Sequence, residues 1–171
     1  MIGAGSGYTN GAMTKHNDNQ QSNVNQWSNL GWVADVEAAT VENTNFRTVL
    51  FTGSHLQLTV MSLATGEHIG WEMHDHLDQF LRVEQGAGTL RLGTSADDVA
   101  EEHDVSDDWA MIIPAGTWHD VLNTGDSDLK LYSIYSPPDH PAGTVHATKA
   151  DADADEADAS EHDHQAEPVD S

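Results

Sequence analysis

Apolar and polar residues alternate with a period of two through the middle of the chain, with β-branched and aromatic residues prominent among the apolar ones. Phe46 to Phe51 reads as a strand closed by Thr52-Gly53. From His55 to Leu63, Leu56, Leu58 and Val60 alternate with Gln57, Thr59 and Met61. Gly66 marks a turn, and the next strand is predicted from Ile69 to His76. Gln79 to Glu84 follows, then the turn Gly86-Ala87-Gly88 and a strand from Thr89 to Leu92. Residues 94–108 are acidic and read as a loop. Trp109 to Ile113 is a short apolar strand ended by Pro114-Ala115-Gly116, and Trp118 to Leu122 continues it. Asn123-Thr124-Gly125-Asp126 turns the chain into a last strand, Leu129 to Tyr135, which Pro137-Pro138 ends. About seven short strands with glycine turns predict an all-β sandwich or barrel. No amphipathic helix is predicted in the core.

The flanks lack this pattern. Residues 1–30 are polar and Gly/Asn rich and read as a flexible arm, leaving 31–149 as the folded domain. Residues 150–171 repeat Ala-Asp and offer almost nothing to bury, so an acidic disordered tail is expected. Neither flank resembles a secretory signal, which places the protein by default in the cytoplasm. No run of about 20 apolar residues predicts a membrane span.

Charge narrows the partners. The chain carries 29 Asp and Glu against 6 Lys and Arg, a formal net charge of −23. Nucleic-acid binding rests on Lys and Arg neutralising phosphates, so nucleic acid is excluded as an expected partner. The acids are spread along the chain, and Lys15, Lys130 and Lys149 are the only lysines. Such a surface suits high salt, where screening removes self-repulsion, and reads as that of a halophile. The alternative is a basic partner. There are no cysteines, so disulfides, thiolate ligands and a Cys nucleophile are ruled out.

The chemistry lies in two histidine-bearing stretches. Residues two apart on a strand share a face, so Glu72, His74 and His76 are expected to point the same way. Gln79 opens the following strand and can place its amide oxygen nearby. His119 follows the Pro114-Ala115-Gly116 turn and can enter the same cavity from a neighbouring strand. Imidazole suits zinc, iron, copper, nickel and manganese, and an added oxygen ligand favours the harder members. A single strand histidine is usually structural, but two in register plus a third behind a Pro-x-Gly turn point to a metal. Trp71 and Trp118 read as core more readily than as cavity wall. Arg47, Arg82 and Arg91 read mainly as surface ion-pair partners, although one facing the cavity would hold a carboxylate or phosphate. His140 and His146 read as solvated loop residues, with a lid or general base as the alternative. Asp78 is equally a turn residue or a hydrogen-bond partner of a ligand imidazole.

These stretches resemble the two motifs of the cupin superfamily. The second, Gly-x5-Pro-x-Gly-x2-His-x3-Asn, runs without gaps through Pro114, Gly116, His119 and Asn123; Asp108 stands where its leading Gly would be. The first, Gly-x5-His-x-His-x3–4-Glu-x6-Gly, fits in two registers. With His74 and His76 as the His-x-His pair, Gln79 comes too soon. With Gly66 leading, Glu72 and His74 take the histidine positions, Gln79 the Glu position and Gly86 the closing one, and every spacing is met. The second register is preferred, which leaves His76 as a further ligand, an outer hydrogen-bonding group or a catalytic base.

The resemblance covers about residues 40–145. It implies a cupin-type jelly-roll β-barrel (a double-stranded β-helix), commonly a homodimer, with one divalent metal on Glu72, His74, Gln79 and His119. Edge strands that must be covered also favour dimerisation. The stretches around Asn43–Thr48, His55–Ser62 and Leu131–Pro138 resemble the stand-alone cupins labelled mannose-6-phosphate isomerase-like. The activity implied is isomerase-like or dioxygenase-like chemistry on a small molecule, with His76 or Glu72 as base, whichever is not a ligand. A non-enzymatic ligand- or metal-binding cupin, or a barrel that has lost its metal, are the alternatives, because the fold hosts many chemistries.

Overall fold

The computed structural model describes residues 25–28 and 31–163. Strands β1 (Asn25–Ser28) and β2 (Gly31–Ala34) pair with each other. Helix α1 (Val36–Glu42) follows, capped by Asp35, whose carboxylate accepts from the Ala38 amide at 3.0 Å. The barrel strands are β3 (Arg47–Thr52), β4 (Gln57–Leu63), β5 (Asp78–Gln85), β6 (Ala87–Gly93), β7 (Glu101–Ser106), β8 (Ala110–Ile113), β9 (Trp118–Leu122) and β10 (Leu129–Ser136). Short β11 (Val145–His146) and helix α2 (Lys149–Asp163) end the described chain.

One sheet has the order β11-β3-β4-β10-β5-β8 and the other β7-β6-β9, with every pairing antiparallel. Both sheets contribute to one core, in which Met61, Leu63, Leu81, Val83, Leu129 and Leu131 meet Leu90, Val105 and Val121. This is the all-β jelly-roll expected from the period-two pattern.

The inward face changes from apolar to polar along each central strand. One cross-strand row is Met61, Leu131 and Val83; the next is Thr59, Ser133 and Leu81; the third is Gln57, Tyr135 and Gln79. All nine are buried. Close-packed hydrocarbon thus seals one end of the barrel, while hydrogen-bonding groups line the other. The candidate chemistry sits at this polar end.

Four expectations are corrected. Residues 69–76 are not a regular strand: only His68 and Glu72 bridge β9, opposite Leu122 and His119. Gly70, at φ 119, interrupts the pleat, and the buried Asp120 carboxylate holds the turn by accepting from the Gly70 amide at 3.1 Å and pairing with His68 Nδ1 at 3.0 Å. The acidic 94–108 segment contains β7, an edge strand whose only buried side chain is Val105, so it carries no apolar alternation. The polar arm of residues 1–30 contains β1; its stretch before residue 25 lies outside the described residues. The tail from 150 begins as α2, started by a reciprocal cap in which Thr148 N and Oγ1 donate to Asp151 Oδ2 and the Asp151 amide donates back to Thr148 Oγ1.

Candidate metal centre

Glu72, His74 and His119 come together at the polar end, with one ligand-type atom from each lying within 4.8 Å of the others. Two backbone devices set this geometry. Glu72 and His119 are opposed residues exchanging both main-chain bonds, at 3.0 and 2.9 Å. The Gly116 amide donates to the His74 carbonyl at 2.8 Å, tying His74 to the Pro114-Ala115-Gly116 turn. Asp78 anchors the same turn, accepting from the Ala115 amide at 3.0 Å, so its role is the turn residue and not an imidazole partner.

The side chains converge on one another. His119 Nδ1 lies 3.1 Å from the Thr117 carbonyl, which only accepts, so Nδ1 carries the hydrogen. Burial holds the His119 pKa below the usual histidine value, so the ring is neutral and Nε2 presents a lone pair. That Nε2 sits 3.6 Å from Glu72 Oε1, and His74 Nε2 sits 3.5 Å from the same oxygen. Both Nε2 atoms are buried without a hydrogen-bond partner. Burial raises the Glu72 pKa, but His74, His119 and Arg47 outweigh it and hold the carboxyl ionised. A buried carboxylate and facing imidazole nitrogens with no shared hydrogen bonds fit a cation between them.

Gln79 is buried on β5, its Nε2 donating to Ser133 Oγ at 2.9 Å and its Oε1 unpartnered. Its cross-strand partner Tyr135 packs edge-on against His74, with ring centroids 5.9 Å apart. The unpartnered amide oxygen therefore belongs to the same polar row.

His76 is placed elsewhere. Its side chain is 63 % exposed and paired with Asp75 at 2.8 Å, and it is not among the residues lining the cavity. The expected alternation breaks down because Asp75 and His76 form a bend beyond the last bridge. His76 as a cavity-facing base is thereby corrected.

A cavity of about 530 Å³ opens on Glu72 and His74 and is walled further out by Arg47, Asp139, His140, Thr144, His146, Asp155 and Glu156. Three of these differ from the sequence reading. Arg47 is buried, facing inward on β3, and is not a surface residue. His140 and His146 are largely buried in the wall and are not solvated. Gln57 fixes the 139–140 segment: its Nε2 donates to the His140 carbonyl at 2.7 Å and its Oε1 accepts the His140 amide at 2.9 Å. Burial, with Arg47 adding repulsion, pushes the His140 pKa down to about 4. Trp71 and Trp118 stack on each other, centroids 6.1 Å apart, away from the cavity wall. Alternation on β3 was the available signal for Arg47, since Arg47 and Val49 share the inward face. No local pattern marks the two histidines: a loop brings in His140, and the short strand β11, paired with β3, brings in His146.

The Cupin domain family matches residues 59–135. The chain is 56% identical over 125 residues to YrkC of Bacillus subtilis (strain 168), covering 73% of this chain and 67% of that protein. It is 40% identical over 118 residues to a protein of Acanthamoeba polyphaga mimivirus, covering 68% of this chain and 72% of the relative. The crystal structure of BH2720 from Bacillus halodurans superimposes with a TM-score of 0.71 at 56% identity, covering 71% of this chain and 92% of that one. Jelly-roll sheets closing on one core, with a His/Glu cluster at the polar end, define a protein with a candidate metal site inside a small barrel. The chain belongs to the cupin superfamily.

Proposed function

We propose that this cupin binds one divalent transition metal through Glu72, His74 and His119, with Gln79 Oε1 as a further oxygen donor, and acts on a small molecule in the adjoining cavity. The observation that carries the reading is the convergence of one buried carboxylate oxygen and two buried imidazole nitrogens: Glu72 Oε1 lies 3.5 and 3.6 Å from the Nε2 atoms of His74 and His119, neither of which has a hydrogen-bond partner. Two imidazoles and one carboxylate with positions left open form the donor pattern favoured by non-haem iron(II), and manganese(II) suits the oxygen-rich variant. Oxygenase-like chemistry is therefore preferred over sugar-phosphate isomerase-like chemistry. When bound, the metal supplies Lewis acidity, and redox capacity if it is iron.

The chain's own residues supply the rest. Glu72 and the two imidazoles fix the reacting end by backbone pairing and not by flexible side-chain contacts. Tyr135 and the buried rows beneath it, the last of them Met61, Leu131 and Val83, close the barrel floor to water. His140 Nε2, buried without a partner on a ring held neutral, can accept a hydrogen bond or proton from a molecule in the cavity. This replaces His76 in the role of base.

The test is elemental mass spectrometry of the full chain, purified in high salt without a histidine tag, beside His119→Ala. About one equivalent of iron or manganese, lost in the variant, supports the reading. A wild-type protein that takes up no transition metal after reconstitution overturns it, and stoichiometric zinc overturns the oxygenase preference.

A further inference from the structure

Arg47 is a buried cation with too few partners. Its side chain is 2 % exposed, and among the described residues its ion-pair contact is a single one, Nη1 to Glu156 Oε1 at 3.3 Å. Its Nε is buried with no acceptor. A guanidinium carries five N–H donors in a planar fork, and burying it is costly unless those donors are used. Its guanidinium carbon Cζ lies over the Phe46 ring, 5.7 Å from the centroid, a contact that holds the fork in place but uses none of its N–H donors. The same fork lines the cavity that also contains Glu72 and His74.

We propose that the cavity takes a small organic carboxylate whose carboxyl group binds Arg47, and that Glu156 of α2 occupies this position in the free protein. Glu156 is itself a carboxylate, 57 % exposed and carried on an element with little else holding it. Ala152 is the one buried side chain of α2 among the described residues. The helix meets the cavity through two ion pairs, Arg47–Glu156 and His146–Asp155, the latter at 2.8 Å. An incoming carboxylate takes over the charge of Glu156, so the exchange does not leave the buried Arg47 unpaired, and Glu156 returns to water from an already exposed position. The incoming group can do what Glu156 does not, using Nε and an Nη together in a two-pronged bond. A molecule so anchored directs its remaining atoms toward Glu72 and His74 in a cavity of about 530 Å³, within the range of small-molecule sites. This inference rests on reading Glu72, His74 and His119 as the reacting end.

The experiment measures acetate binding by calorimetry to the full chain, both chelated and reloaded with metal, with inorganic phosphate as the comparison anion. Hydrogen exchange of the α2 amides is followed in parallel. Glu156→Gln, at an exposed position, is expected to bind acetate at least about 5-fold more tightly, a change on the order of 1 kcal/mol. Arg47→Lys is expected to weaken it by about 10-fold or more, and acetate is expected to speed α2 exchange in the wild type. Equal acetate affinity in wild type and Glu156→Gln, with unchanged α2 exchange, overturns the inference. A tenfold preference for phosphate overturns the carboxylate class. If Arg47→Lys does not fold, Glu156→Gln and the exchange data decide alone. Arg47 needs no metal to hold an anion, so the acetate result in chelated protein stands or falls separately from metal uptake.

Discussion

Glu72 and His119 face each other twice: their backbones exchange both hydrogen bonds, and Glu72 Oε1 lies 3.6 Å from His119 Nε2. The doubly bonded pair fixes both Cβ positions, so the side chains meet without a loop having to order. Glu72→Ala therefore removes a donor from a preformed set. Metal affinity is expected to fall by more than the roughly 10–100-fold typical of losing an outer hydrogen-bonding partner, while His76→Ala leaves it unchanged. Competition titration with a chelating dye reads both. Weaker binding in His76→Ala and not in Glu72→Ala would reverse the motif register.

Much of this was legible because strand periodicity and motif spacing are local. Pro114, Gly116, His119 and Asn123 stand one turn and one strand apart, so their spacing reports geometry directly. Asp108 shows how a departure can be absorbed: it stands in place of the motif's leading Gly and takes φ 70, a left-handed conformation that Asp tolerates better than most residues. His140 and α2 were not legible as cavity walls. They reach it through long-range contacts, Gln57 to His140 across the fold and Arg47 to Glu156 across most of the chain. His76 leaves the cavity face because Gly70 interrupts the pleat and Glu72 is the last bridged residue, so strand alternation does not hold as far as His76.

His140 gives stability a pH dependence of defined sign. Arg47, Asp139, Glu72 and His74 all act on it, and burial dominates, setting its folded pKa at about 4 against about 6.5 in the unfolded chain. Between these values the unfolded chain binds the proton and the fold does not, so stability falls as pH drops from about 6.5 toward 4. The slope from this group is at most about 1.4 kcal/mol per pH unit. His74 acts oppositely at higher pH: burial lowers its pKa, but Glu72 and Asp139 more than offset this, so its contribution is lost as pH rises through the raised value. Urea denaturation of metal-free protein across pH 4–7 should lose the acid slope in His140→Asn. An unchanged slope would remove His140 as its source.

Asn123, the last residue of the second motif, is a structural bracket. It is 1 % exposed; its Nδ2 donates to the Leu63 and Ser127 carbonyls at 2.8 and 2.9 Å, and its Oδ1 accepts from the Gly125 amide at 3.0 Å. Asn123→Ala leaves three buried or part-buried backbone groups without this partner, and each costs about 1–3 kcal/mol if not rehydrated. The expected loss is roughly 2–4 kcal/mol by chemical denaturation, with metal stoichiometry retained in the folded fraction. A loss below 1 kcal/mol would show that water replaces the bracket.

Helix α2 depends on its first turn. Ala-Asp repeats have little apolar surface, so the reciprocal bonds between Thr148 and Asp151 and the packing of Ala152 on the core decide whether the turn forms. Lys149 assists, its Nζ donating to Asp153 at 2.8 Å and to the Ile69 carbonyl at 3.4 Å. Asp151→Ala keeps a good helix former at the position but removes the acceptor for Thr148 N and Oγ1, at an expected cost of about 1 kcal/mol. That loss should be local, because among the described residues α2 contributes only Ala152 to the core. Hydrogen exchange of amides 151–156 is expected to accelerate about 5-fold, while β4 and β10 exchange as before and the global denaturation midpoint moves little. Equal acceleration in the barrel strands would mean that α2 unfolds only with the barrel and cannot release Glu156 from Arg47 on its own.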